Sequence, residues 1–137
     1  FFVLPRRDPE RENVLGNEDV LAAVELPAPP ADLQSTYVKV MDREAWTHAV
    51  VSAAVALEMS QAVCRAARVV LGGVAPIPWR VPDAERLLVG QRVTPELARR
   101  AGEAAVAGAR PLSKNAYKVS LTKTVVERTV LALGTRG

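Results

Sequence analysis

Hydrophobic and polar positions alternate in two stretches of the N-terminal third. In "VLAAVEL" the residues Val20, Ala22, Val24 and Leu26 fall on one side and Leu21, Ala23 and Glu25 on the other, a period-two pattern that predicts a half-buried strand ended by Pro27. "STYVKVM" repeats the pattern, with Thr36, Val38 and Val40 on one face and Tyr37, Lys39 and Met41 on the other. The intervening "APPADLQ" is a proline-rich loop, short enough for the two strands to pair antiparallel. Lys39 then projects from the face opposite the aliphatic row.

From Ala49 to Leu71 the pattern conflicts with itself. The alanines, Leu57, Glu58, Met59 and the arginines favour helix, whereas Val50, Val51, Val55, Val63, Val69 and Val70 favour strand. Its only internal break is "MSQAV", a weak turn signal without glycine or proline.

The C-terminal half reads as helical. "VPDAERLL" puts Pro82 in a first turn and Gly90 just past an end. "TPELARRAGEAAVAG" offers Thr94 as N-cap, Pro95 at the first helical position, Glu96 in the first turn and Gly108 as a stop. A third helix follows Ser113 or Asn115 and stops at Gly134, with Tyr117, Leu121, Val125 and Thr129 near one stripe and Val119, Val126, Val130 and Leu133 near another. Strands first and helices last predict an α+β architecture, an antiparallel sheet of three to four strands with helices packed on one face as a two-layer sandwich.

Composition narrows the function classes. A chain of 137 residues with 49% hydrophobic and 24% charged residues builds one core, and no apolar run approaches the ~20 residues of a membrane span. The net charge of +3 comes from scattered basic residues with only 4% aromatics, which argues against a nucleic-acid surface. A single cysteine, Cys64, forms no internal disulfide and reads as a buried apolar residue. A single histidine, His48, leaves no ligand set for zinc or an iron–sulfur cluster, so any metal is expected on a partner. Residues 1–18, punctuated by Pro5, Pro9 and Gly16, read as an irregular lead-in, and the start at Phe1 without methionine or a secretory pattern reads as a cut from a longer chain.

Catalytic chemistry is scarce. "LGGVAPIPWR" lacks the GxGxxG or GxxxxGK spacing of a phosphate loop and reads as a glycine bend at a strand end with a stiff proline exit. His48, flanked by Trp46, Thr47 and Ala49, reads as a packed side chain or as one lining a ligand site, and no nucleophile–base pair or carboxylate pair stands out. Asp83 and Glu85 read as first-turn residues at a helix N-terminus.

Four segments, "EDVLAAVELPAPP", "YVKVMDREAWTHAVVSAAVAL", "ARVVLGGVAPIPWRVPDAERLLVGQ" and "LSKNAYKV", together resemble the C-terminal domain of the FAD-binding subunit of molybdenum hydroxylases. That family includes xanthine dehydrogenase, aldehyde oxidoreductase and aerobic carbon monoxide dehydrogenase. "DREAW" and "NAYKV" look most like aldehyde or xanthine dehydrogenase flavin subunits. The resemblance implies that the ambiguous stretch forms two strands, about Ala49 to Met59 and Val63 to Val74, followed by three helices. It implies that residues 1–18 are the tail of a preceding FAD-binding domain and 19–137 the C-terminal domain.

The same resemblance implies an oxidoreductase working within a multi-subunit complex, inactive as this stretch alone. Molybdenum cofactor and [2Fe-2S] clusters reside on a large and a small partner subunit, and FAD is bound mostly upstream. The location implied is cytoplasmic, or periplasmic for aldehyde-oxidising relatives. Leu21 and Lys39 match the family's flavin contacts, with Trp46, Thr47 and His48 as weaker candidates. An aliphatic side chain covers part of a flavin ring, and an ammonium favours its electron-rich reduced form. The competing reading is an assembly module whose third helix offers an apolar stripe to a partner.

Overall fold

The structure, a computed structural model, describes residues 1–135. Four antiparallel strands, β1 (Leu33–Val40), β2 (Val51–Ser60), β3 (Val63–Gly72) and β4 (Trp79–Arg80), form an open sheet in the order β1-β2-β3-β4. Three helices, α1 (Pro82–Leu88), α2 (Pro95–Val106) and α3 (Tyr117–Gly134), cover one face. α1 lies against β3, α3 crosses β2 and reaches β1, and α2 packs on α1 and α3. This is the α+β sandwich expected from the order of elements.

The hairpin β2–β3 decides the layer arrangement. Val51, Ala53, Val55, Leu57 and Met59 point to the helices, opposite Cys64, Ala67, Val69 and Leu71 of β3. Complete burial of such a Val or Leu contributes about 1.5–3 kcal/mol each, so the hairpin outweighs the helical propensity of its alanines. Strict alternation along β3 would turn Ala66, Arg68 and Val70 inward with Cys64. A bulge prevents this: Cys64 faces Met59 and Ala66 faces Glu58, so Arg65 is the extra residue and the core set resumes at Ala67.

The turn joining β2 and β3 has two residues, Gln61 and Ala62, with φ of 49° and 66°. Such a loop ordinarily carries Asn-Gly, because non-glycine residues are strained in the left-handed region. That mismatch is why the turn is faint in the sequence.

The strand expected over Val20–Leu26 does not form: residues 19–30 carry no secondary structure and are exposed, and β1 pairs with β2 instead. Pro27, Pro29 and Pro30 stiffen the connector and remove its donors, and Pro30 closes a turn by accepting from Leu33 N at 3.1 Å. The helix signals fare better. Thr94 Oγ1 accepts from Leu97 N at 3.1 Å as the N-cap of α2, which ends two residues before Gly108. Neither Ser113 nor Asn115 caps α3, since Asn115 Oδ1 accepts from Leu112 N in the preceding turn. α3 ends at Gly134 as expected, with Thr135 as its cap, but the glycine is buried, and a Cβ there would meet the Val93 side chain at 2.3 Å. Val125, Val126, Thr129, Val130 and Leu133 are buried, so the apolar stripe of α3 is spent inside the domain.

"LGGVAPIPWR" turns the chain from β3 into β4. Gly73 has φ +73°, and a Cβ would sit 2.8 Å from the carbonyl oxygens of Ala49 and Val50. Trp79 and Arg80 then pair with Leu71 and Val70. Where β4 stops, the buried Glu85 of α1 takes over: its Oε1 accepts from Val69 N at 3.0 Å. Arg80 grips the same carboxylate through Nε at 2.9 Å and Nη2 at 2.7 Å. The Arg80 hydrogen bonds hold the Glu85 carboxyl below the usual range, with the Val69 N–H helping, against burial that pushes it up. Glu85 is thus more than a first-turn helix residue.

Two outcomes follow from these corners. Replacing Gln61-Ala62 by Asn-Gly raises the unfolding free energy by about 1 kcal/mol, read by urea denaturation; an unchanged or lower midpoint contradicts the strained turn. Glu85→Gln costs about 1–3 kcal/mol at neutral pH, because the charged acceptor is lost. Since the folded carboxyl titrates below its unfolded value, its stabilisation is complete above the ordinary carboxylate range and disappears as pH falls through the folded value. The wild-type advantage over Glu85→Gln therefore shrinks on acidification, and a difference constant between pH 7 and pH 3 contradicts the ion-paired corner.

Candidate functional site

The bulky residues of β2 all serve the helix side, so the opposite face of the sheet is floored by small ones. Ser52, Ala54 and Ala56 of β2 lie there, flanked by Tyr37 and Lys39 of β1 and by Arg68, Val70 and Gly72 of β3, with Glu58 facing Ala66 beyond them. Lys39, Ser52 and Gly72 form one row across three strands, and Tyr37, Ala54 and Val70 form the next. The first row is packed to its limit: Ser52 is buried, and a Cβ at Gly72 would come within 2.5 Å of Ser52 Oγ. Beside Lys39 the face sinks into a depression of about 420 Å³, floored by Ser52, Ala54 and Gly72 and walled by Tyr37 and the Ala75–Pro78 loop.

Lys39 sits one residue from the end of β1, where the chain leaves on a loop that returns with Val50 N donating to Val40 O at 2.8 Å. Two cations tie that loop down. Lys39 Nζ donates to the Thr47 carbonyl at 2.8 Å, and Arg43 Nη2 donates to the Trp46 carbonyl at 3.0 Å. An ammonium has three donors, so Lys39 keeps two for another acceptor. Trp46 stands at φ 51° with its side chain 97% exposed, Thr47 is half-buried with its hydroxyl donating to the His48 carbonyl at 3.1 Å, and His48 is exposed rather than packed. Lys39, Trp46, Thr47 and His48 therefore share one end of the open face. Leu21 does not join them through any hydrogen bond or core contact among the described residues; it lies in the exposed 19–30 segment.

The residue types set what this arrangement does. A small-residue depression with an ammonium beside it offers room for a planar group and a cation to pair with an electron-rich atom. It has no nucleophile with a base. Cys64 is buried on the helix side, where desolvation and then the Glu58 charge push its thiol up. No cluster of three or more His, Cys, Asp or Glu side chains suits a metal ion among the described residues. No helix among them is long and apolar enough to cross a membrane.

The sequence pattern placed Lys39 on the open face, as the structure has it, and did not show the surface beside it. The signal was present in the spacing, because Ser52, Ala54 and Ala56 alternate with Val51, Val55 and Leu57, and a strand with all its bulk on one face leaves a smooth surface on the other. It also missed a second cavity of about 480 Å³ on the helix side, between β4, α2 and α3, bordered by Trp79, Val81, Ala105, Pro111 and Val119. Lys118 lines it and donates from Nζ to the Gly73 carbonyl at 3.0 Å.

Residues 36–133 match the family model described as the CO dehydrogenase flavoprotein C-terminal domain. The chain is 32% identical over 123 residues to the aldehyde oxidoreductase FAD-binding subunit PaoB of Escherichia coli (strain K12), covering 90% of this chain and 35% of that protein. It is similar to the solved structure of quinoline 2-oxidoreductase from Pseudomonas putida 86, with a TM-score of 0.71 at 30% identity over 78% of this chain and 38% of that one. It is similar also to carbon monoxide dehydrogenase from Hydrogenophaga pseudoflava, with a TM-score of 0.74 at 29% identity over 81% of this chain and 40% of that one. The chain spans about a third of the length of the curated relative it matches. With strand order, helix layer and sequence in agreement, the chain belongs to the CO dehydrogenase flavoprotein C-terminal domain family.

Proposed function

We propose that this domain closes one side of the FAD site in the flavin-containing subunit of a molybdenum-dependent hydroxylase of the xanthine or aldehyde dehydrogenase type. The observation that carries the reading is the depression in the open sheet face, floored by Ser52, Ala54 and Gly72 beside the Lys39 ammonium, with Arg68 opposite Ala56 farther along the same face. Those residues fit one side of a flavin ring: the floor admits a flat aromatic system, and Lys39 retains two donors for a ring oxygen or nitrogen. Bound FAD supplies the chemistry of accepting electrons from [2Fe-2S] clusters and passing them to an external acceptor.

The chain's own contribution is positioning and electrostatics. Tyr37 and the Ala75–Pro78 loop wall the floor and exclude water on that side. Lys39 favours electron density placed beside it, while its bond to the Thr47 carbonyl fixes the loop carrying Trp46 and His48. Leu21 covers part of the ring from the neighbouring segment. Molybdenum and iron–sulfur centres reside on large and small partner subunits, in the cytoplasm or, for an aldehyde-oxidising complex, the periplasm. The competing assembly reading keeps only the start of the α3 stripe, where Tyr117 is exposed, since Val125, Val126, Val130 and Leu133 are buried in the core.

In the full-length flavin subunit, Lys39→Met lowers the flavin midpoint potential and changes its reoxidation rate, and Lys39→Arg restores most of both, measured by spectroelectrochemistry and stopped flow. Unchanged potential and kinetics in Lys39→Met remove Lys39 from the site. The 137-residue chain alone catalyses no aldehyde or heterocycle oxidation; turnover in a dye-coupled assay overturns the division of labour proposed here.

A further inference from the structure

The helix-side cavity is built differently from the depression beside Lys39. Its volume of about 480 Å³ falls within the range of small-molecule sites, and its walls come from β4, the end of α2, the loop after it and the start of α3. Trp79, Val81, Pro111 and Val119 make those walls apolar. The end of α2 and its exit add small residues, Ala105, Gly108 and Ala109, and a Cβ added at Gly108 would meet nothing within 4 Å.

The charges around this cavity do not cancel. Three cations and one carboxylate border it: Arg80, Arg110, Lys118 and Asp83. Arg80 is taken up by Glu85 and Asp83 by Arg86, so both of those charges are answered locally. Arg110 is exposed, and neither it nor Lys118 forms an ion pair among the described residues. Lys118 Nζ donates to a neutral acceptor, the Gly73 carbonyl, at 3.0 Å and keeps two donors. Asn115, whose Oδ1 accepts from Leu112 N, keeps its amide N–H groups. The lining therefore offers two unanswered positive charges and spare donors beside an apolar hollow.

We infer that this cavity binds a small organic anion, a carboxylate joined to an apolar body of about one ring. Lys118 and Arg110 hold the carboxylate, and the ring lies against Trp79 and Val119. A neutral apolar ligand would leave both cations unanswered, and an inorganic ion would leave the apolar walls wet; only a ligand with both parts satisfies both halves of the lining. The inference goes beyond the flavin reading and does not rest on it. Gly73 and Ala75 border both cavities, but the cations differ, Lys118 here and Lys39 beside the depression on the sheet face.

Titration of the full-length flavin subunit with 4-(trifluoromethyl)benzoate, followed by fluorine NMR and calorimetry, tests this. One ion is expected to bind per subunit with a Kd below about 1 mM, and the uncharged 4-(trifluoromethyl)benzamide about tenfold more weakly. Ala109→Trp fills the cavity and abolishes binding, and Arg110→Gln weakens it about tenfold. Both positions are exposed, so neither substitution opens the core. Lys118→Met weakens binding to a similar extent, Lys118→Arg restores most of it, and Lys39→Met leaves it unchanged. The inference is overturned by the absence of saturable binding up to about 10 mM, by equal affinity for acid and amide, or by an affinity indifferent to Ala109→Trp and Arg110→Gln. Loss of binding in Lys39→Met also overturns it, because the anion then sits on the open face of the sheet.

Discussion

A β-strand has two faces, and β2 gives its bulk to one of them. Val51, Val55, Leu57 and Met59 go to the helices, with Ala53 between, and the complementary set is Ser52, Ala54 and Ala56, followed by Glu58. Everything else in the domain follows from that partition. The bulky side forms the core that α1 and α3 cover, and the small side is left as the open face of the sheet. The bulge at Arg65 protects the arrangement, because without the extra residue β3 would present Arg68 to the core and Val69 to solvent.

The sheet is held at its corners by polar groups standing in for missing backbone partners. At the β4 end, Glu85 replaces a strand carbonyl for Val69 and Arg80 fixes the carboxylate. At the β1 end, Lys39 caps the Thr47 carbonyl in a loop that makes few backbone pairs of its own. The chemistry of the two corners differs. Glu85 is buried and saturated, which suits a structural joint, whereas Lys39 is exposed with donors to spare, which suits contact with a ligand.

Much of the fold was legible in the sequence because local signals agreed with the tertiary outcome. Thr94-Pro95 opens α2 as N-cap and first residue, Pro82 opens α1, and alternation around Lys39 marks β1. The failures have separate physical causes. The hairpin turn was faint because Gln61 and Ala62 adopt left-handed backbone that the surrounding strands impose. Gly134 does end α3, but what requires glycine there is the close approach of Val93 rather than a left-handed cap. The alternation of Val20–Leu26 forms no strand, because β1 takes the place beside β2 and nothing among the described residues pairs with the segment. For the site, Lys39 was reachable by resemblance and by its face, while the floor beneath it needed the registry of three strands, which no single segment encodes.

The proposed function turns on whether the open sheet face is the wall of the flavin site. Its most direct measurement is a structure of the full-length subunit with FAD bound. The account predicts the flavin ring on the Lys39 side of the sheet, in van der Waals contact at roughly 3.5–4 Å with the face carrying Tyr37, Ser52 and Ala54. A ring lying on the helix side, or separated from that face by another element, would contradict it.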